Sequence, residues 1–194
     1  MLKWWLICLS AVVFFLVALS LFPGEARRVD VSVIADIPRE EAWVVLQDFS
    51  VAHNYVPGLT GTEIVSVQQN GPGAHRKVYQ SGGGFLEETI VEWREGEGFM
   101  IKLHNGPEPM TPFTRAEFIY KLGAQEPEKT LIELTMIFKM PLGLLGATLG
   151  EWFIEPIVEK NLILSAAGMK HYYQTGTPAT DNDRERLAGY VHLN

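Results

Sequence analysis

Six apolar, β-branched stretches, each closed by a cluster of turn residues, constrain this chain more than any other feature of its sequence. Residues 62–69 run into Asn70-Gly71-Pro72-Gly73, and 75–80 into Gly82-Gly83-Gly84. Residues 85–93 meet Glu95-Gly96-Glu97-Gly98, and 99–104 meet a proline-rich loop that ends at Pro112. The last two stretches are 114–122 and 130–140, and in the latter Ile132, Leu134, Met136, Phe138 and Met140 alternate with other residues. Period-two alternation buries one face of a strand, and short Gly-rich connections join antiparallel neighbours. The pattern predicts a meandering antiparallel sheet.

Helices flank this sheet. Val29, Val31, Val33, Ala35 and Ile37 alternate as one more strand, giving about seven. Pro38-Arg39-Glu40-Glu41 then opens a helix, because proline fits a first turn and acids suit its positive end. Its buried face is Ala42, Trp43, Val45, Leu46 and Phe49, and a second short helix or turn over 50–56 stops at Pro57-Gly58. After Pro141 a long helix is predicted over 142–174. There Leu145, Leu149, Phe153 and Ile157 recur four apart beside an acidic ridge of Glu151, Glu155 and Glu159. Pro156 should kink or restart that helix. The polar residues after it are expected to be poorly ordered.

At the other end, no charged residue occurs from Trp4 to Phe22. As a helix this run is about 28 Å long, close to the thickness of a bilayer's hydrocarbon core. Trp4 and Trp5 stand where interfacial aromatics commonly lie, and Pro23-Gly24 ends the run. Two readings stay open. An uncleaved anchor explains the length, which exceeds the usual signal-peptide core. A cleaved signal explains Lys3 and the small-x-small sites Ala18-Leu19-Ser20 and Gly24-Glu25-Ala26. Lys3 favours a cytoplasmic N-terminus and an exported domain, while Arg27 and Arg28 argue the reverse. The expected organisation is an anchor or signal over 1–28, one domain over 29–176 and a flexible tail over 177–194. The expected location is the membrane, with a single N-terminal pass and an exported domain; secretion after cleavage is the alternative.

Charge and cysteine content narrow the function classes. The net charge is −7, and beyond the first 28 residues, which hold Lys3, Glu25, Arg27 and Arg28, 13 basic residues face 22 acidic ones. A domain so acidic, with no basic run, is a poor nucleic-acid binder. Cys8 is the only cysteine, so no intramolecular disulfide forms and the domain has no thiol nucleophile. No HExxH, GxSxG or phosphate-loop pattern occurs, so neither a metal nor any other cofactor is expected.

The order of these elements, and several short motifs, resemble a known superfamily. Ile37-Pro38-Arg39-Glu40-Glu41-Ala42-Trp43, Gly71-Pro72-Gly73-Ala74-His75-Arg76 and Glu88-Thr89-Ile90-Val91-Glu92-Trp93 each resemble its segments. So do Asn161-Leu162 and Gly168-Met169-Lys170-His171-Tyr172-Tyr173 near the end. The superfamily is SRPBCC, which contains START-like, Bet v 1-like and polyketide cyclase/dehydrase-like domains. The resemblance implies an α+β helix-grip fold, in which a curved antiparallel sheet wraps a long C-terminal helix around an apolar cavity.

Candidate cavity residues are Trp43, Tyr55, Trp93, Phe118, Tyr120, Leu134, Met136 and Trp152. Enzymatic members of the superfamily use cavity Arg, Tyr, His or acidic groups, which makes Arg76, Tyr79 and His104 the catalytic candidates here. Alternation in 85–93 favours Phe85, Glu87, Thr89, Val91 and Trp93 as the inner face, leaving Glu88 and Glu92 outside. Arg76, on the preceding strand, is a partner for one of those acids if both face the same layer. Three functions follow as expectations. The first is a membrane-associated binder of a hydrophobic small molecule, lipid or quinone-like. The second is a metal-independent cyclase or dehydratase acting on an aromatic or polyketide-like substrate. The third is an envelope interaction module using the loop from Gly106 to Met110 or the acidic tail.

Overall fold

The computed structural model describes residues 2–194, with side chains from Leu9 onward. Helix α1 (Leu2–Leu21) leads into strand β1 (Arg27–Ala35), helix α2 (Arg39–Leu46) and a single 3-10 turn (Ala52–Asn54). Strands β2 (Leu59–Ile64), β3 (His75–Gln80), β4 (Phe85–Arg94), β5 (Gly98–Asn105) and β6 (Glu108–Pro109) follow. Then come β7 (Arg115–Glu126), β8 (Lys129–Lys139), α3 (Gly143–Leu149), a π-helical turn (Gly150–Ile154) and α4 (Glu155–Thr175). Helix α5 (Asp181–Ala188) and strand β9 (His192–Leu193) end the chain. The sheet is antiparallel throughout, in the order β2-β3-β4-β5-β7-β8-β1-β9, with β6 paired to β5. Seven strands are substantial; β6 and β9 are two-residue additions that bring the total to nine.

The hairpin punctuation places β3, β4, β5 and β8 within a residue or two of the sequence expectation. One detail reverses a face. The β4–β5 ladder pairs Ile90 with Ile101 and then Glu92 with Met100, which leaves Val91 as an extra residue. This β-bulge moves the strand by one position. Before it Leu86, Glu88 and Ile90 point inward; after it Trp93 does, opposite the buried Phe99. Strict alternation therefore assigned Glu87 and Thr89 to the core and Glu88 to the surface, and the bulge corrects both.

Helix α4 packs across β1 and β8. Leu162, Ser165, Ala166, Ala167, Met169 and Tyr173 are its buried residues toward the core. The run Ser165-Ala166-Ala167-Gly168 lets the backbones approach closely, and a Cβ on Gly168 would collide with the Tyr55 carbonyl oxygen. Pro156 sits in the first turn of α4, where amides lack intrahelical partners anyway, and the helix restarts there, one of the two outcomes expected for it.

The residues after 176 are folded, against expectation. Thr180 and Asp183 form a reciprocal capping box at the start of α5, and the Arg184 Nε donates to the Tyr55 carbonyl at 3.1 Å. Leu193 and His192 pair with Val31 and Ser32 of β1. A polar composition suggested disorder, yet these groups are satisfied by capping and by one buried arginine rather than by an apolar face.

Glycines also join α1 to the domain. The Leu144 amide donates to the Phe22 carbonyl at 3.0 Å, and a Cβ on Gly24 or Gly143 would overlap the opposing backbone. Arg27 then reaches Glu155 at 2.6 Å and Glu151 at 3.4 Å. Leu9 and residues 12–17 of α1 are exposed, and so are Leu149 and Phe153, members of the four-residue repeat that do not face the core. Lys3, Trp4, Trp5 and Cys8, singled out in the sequence, have side chains outside the described residues. Among the described residues, no helix is long and apolar enough to cross a membrane.

A helix-interior glycine replaced by alanine normally gains up to about 1 kcal/mol. For Gly168→Ala the sign should reverse, with a loss of about 1–3 kcal/mol from the clash with Tyr55. Gly82→Ala, which meets open space, should stay within about 0.5 kcal/mol of wild type. Urea unfolding of the two variants checks this, and a stabilised Gly168→Ala would contradict the close packing.

Candidate functional site

The N-terminal half of α4 carries larger residues than its middle and stands off the sheet, leaving a cavity of about 400 Å³. Val78, Leu86, Ile101, Leu103, Phe118 and Met136 form its sheet wall, and Ile154, Ile157, Val158 and Leu162 form its helix wall. Met110, Pro112 and Phe113 close one side, with Val56, Pro57 and Leu59 opposite. Polar groups are few: Gln80 and Asn161 are exposed, whereas Glu88, Tyr120 and Ser165 are buried. Such a space, mainly apolar with a few converging polar groups, has the form of a small-molecule site.

A buried ion pair stands behind the polar end. Arg76 is 1% exposed and Glu88 7%. The Arg76 Nε donates to Glu88 Oε2 at 2.6 Å, with Nη2 2.5 Å from the same oxygen in an ion pair, and its Nη1 donates to the Phe49 carbonyl at 2.6 Å. The guanidinium lies over the Phe49 ring, 3.8 Å from the centroid. Burial works against the Arg76 charge, but the Glu88 carboxylate and two neighbouring phenols raise its pKa above the ordinary value. Burial also pushes the Tyr55 hydroxyl up to about 12, with Arg76 opposing the rise. Tyr120 and Tyr173 are raised well above 10, chiefly by burial. These phenols stay protonated at neutral pH. They are suited to donating hydrogen bonds and poorly suited to exchanging protons there.

The candidates read from sequence separate on this frame. Arg76 is inside, paired with Glu88. Tyr79 and His104 are not, because their strand neighbours Val78 and Leu103 take the inward positions. Tyr79 bonds Glu63 at 2.5 Å on the outer face. His104 bonds the Thr89 hydroxyl and the Gly106 carbonyl, both at 2.8 Å, with the His75 ring 5.3 Å away.

Of the cavity candidates, Phe118, Tyr120 and Met136 line it. Tyr55 and Leu134 are buried but do not line it. Trp43 and Trp93 fill a separate part of the core, where they meet edge to face at 5.0 Å and both donate to Glu95. Trp152 is 71% exposed, because the π-helical turn carries it outward. The residues missed were Glu88, Leu86, Ile101, Leu103 and the loop at Met110. Alternation in β5 was the signal for Ile101 and Leu103, and the bulge in β4 obscured Leu86 and Glu88. Among the described residues, no group of three or more His, Cys, Asp or Glu side chains is placed to hold a metal ion.

Comparison with known proteins supports this geometry. The model of the family described as polyketide cyclase / dehydrase and lipid transport matches residues 26–164. No curated protein sequence matches. Among solved structures, an aromatase/cyclase, Zhui from Streptomyces sp. R1128, superimposes with a TM-score of 0.60 at 16% identity, over 77% of this chain and 94% of its own. A protein from Nitrosospira multiformis gives 0.59 at 15% identity, over 77% and 98%. The structure of Ara h 8.0201 gives 0.57 at 16%, also over 77% and 98%. At these identities the likeness shows the helix-grip fold.

Removing one partner of a buried ion pair strands the other charge. Arg76→Met or Glu88→Leu alone should therefore cost about 3–5 kcal/mol, and the double variant clearly less than the two costs summed. Chemical denaturation of all three checks this. Strict additivity would mean that the pair is not coupled.

Proposed function

Because the chain belongs to the polyketide cyclase / dehydrase and lipid transport family, we propose that it holds one hydrophobic small molecule, lipid or quinone-like, without transforming it. The observation that carries this reading is the cavity of about 400 Å³ between α4 and the sheet, mainly apolar, with Glu88, Tyr120 and Ser165 as its buried polar groups. A cyclase or dehydratase needs a group that gives and takes a proton near neutral pH. Tyr79 and His104, offered for that role by the sequence, lie on the outer face, and burial has pushed the inner phenols away from it.

We further propose that the protein works at a membrane, with α1 in the bilayer and the domain on the exported side. Leu9, Leu21 and residues 12–17 of α1 are apolar and exposed, a pattern that water does not favour. The glycine crossing ties the end of α1 to α3, and the Arg27 ion pairs tie the start of β1 to the π-helical turn and to α4, which forms one wall of the cavity. Leu149, Trp152, Phe153 and Ile157 add exposed apolar surface on that side. A lipophile leaving the bilayer then has a short path to the site.

Two measurements test these readings separately. The full chain should bind the fluorescent lipophile N-phenyl-1-naphthylamine, and Val158→Trp, which fills the cavity, should weaken that binding at least about tenfold. Equal binding by the variant would place the probe elsewhere. In reconstituted vesicles the chain should resist extraction with alkaline carbonate. Its release into the wash would remove the membrane reading and leave the cavity reading standing.

A further inference from the structure

The buried end of the cavity holds an acceptor that no protein group uses. The hydrogen bond that Arg76 gives to Glu88 and the ion-pair contact of its Nη2 both fall on Oε2, and Nη1 donates to the Phe49 carbonyl. Among the described residues, Glu88 Oε1 receives no hydrogen bond, although the residue is 7% exposed and lines the cavity. It is not sealed in protein either, since the buried polar atoms without a partner are His75 Nε2 and Tyr173 Oη. Oε1 therefore faces the space the ligand would fill. A desolvated carboxylate oxygen with nothing to accept from is costly, and the cost is relieved when a ligand supplies a donor.

We propose that Glu88 Oε1 recognises a hydroxyl group, so that the cavity selects a neutral lipophile bearing an alcohol or phenol over one bearing only acceptors or a carboxylate. This rests on the binding reading above and names the ligand class for the same site. Arg76, the one cation at this end, is engaged by Glu88 and Phe49 and offers little to an anionic headgroup. A carboxylate would instead meet a like charge. A ketone or quinone oxygen would face another acceptor. An ammonium would pair with Glu88 but lose its hydration in a mostly apolar space with few other acceptors. A hydroxyl fits on both counts: it donates to Oε1, and its oxygen accepts from the hydroxyl of Ser165 on the facing helix wall. For a quinone-type ligand, the reduced quinol is the form retained.

A matched series tests this: 4-nonylphenol, its methyl ether 4-nonylanisole, and 4-nonylbenzoate. Each competes with N-phenyl-1-naphthylamine on the full chain in lipid nanodiscs, corrected for partitioning into empty nanodiscs. The phenol should displace the probe at a concentration at least about tenfold lower than either analogue. In Glu88→Gln the side-chain amide turns a donor toward the ligand, and the preference of phenol over ether should level or invert. If the ether matches the phenol on the wild-type chain, the hydroxyl assignment is overturned while the cavity reading survives. If none of the three displaces a bound probe, the hydroxyl assignment and the cavity location both fall. The wild-type series decides the matter even where Glu88→Gln does not fold.

Discussion

A guanidinium enclosed between a helix and a sheet must find its partners within the fold, and Arg76 finds them in Glu88 Oε2 and the Phe49 carbonyl. Much of the site follows from that arrangement. The carbonyl holds the segment after α2, whose Phe49 ring lies under the cation and meets Phe99 edge to face at 5.8 Å. The carboxylate fixes the inward phase of β4, and with it Leu86 and Ile90 on the same face. An isolated charge here would be costly to bury, so the pair's first role is compensation rather than net stabilisation. Its second effect is to leave one carboxylate oxygen directed at the empty space beside it.

The cavity itself comes from a gradient of side-chain size along α4. Ser165, Ala166, Ala167 and Gly168 bring the middle of the helix down onto Tyr55 and the sheet. One to three turns earlier, Ile154, Ile157, Val158 and Leu162 face an open volume rather than a packed wall. Close packing at one end holds the helix firmly enough that the other end need not collapse. The Arg27 bonds to Glu151 and Glu155 support the looser end from outside, and α5 braces the tighter end through Arg184 and Tyr55.

Much of this was legible in the sequence, for physical reasons that also mark where it was not. Turn residues report their own conformations, so the β3, β4 and β5 hairpins were placed closely. Proline 156 cannot continue a helix without loss, and α4 begins there. Arg76 was flagged as a possible partner for an acid on β4, but the bulge at Val91 hid which acid, because one extra residue inverts every assignment made by alternation. The repeat that includes Leu149 and Phe153 has a helical period that says nothing of what covers it, and the core covers neither of those two. Aromatic residues were over-assigned to the cavity. Trp43 and Trp93 fill solid core, since stacking against Phe99 and sharing Glu95 satisfies them locally. The tail was underestimated because capping and a single buried arginine leave no apolar periodicity to read.

The central claim is that the space between α4 and the sheet is a binding site rather than a packing defect. Native mass spectrometry of the full chain, extracted gently with its surrounding lipid, addresses this most directly. The expected spectrum shows the 21.7 kDa chain carrying a single adduct that Val158→Trp abolishes. An unliganded chain that stays bare after incubation with total lipid extract would contradict it.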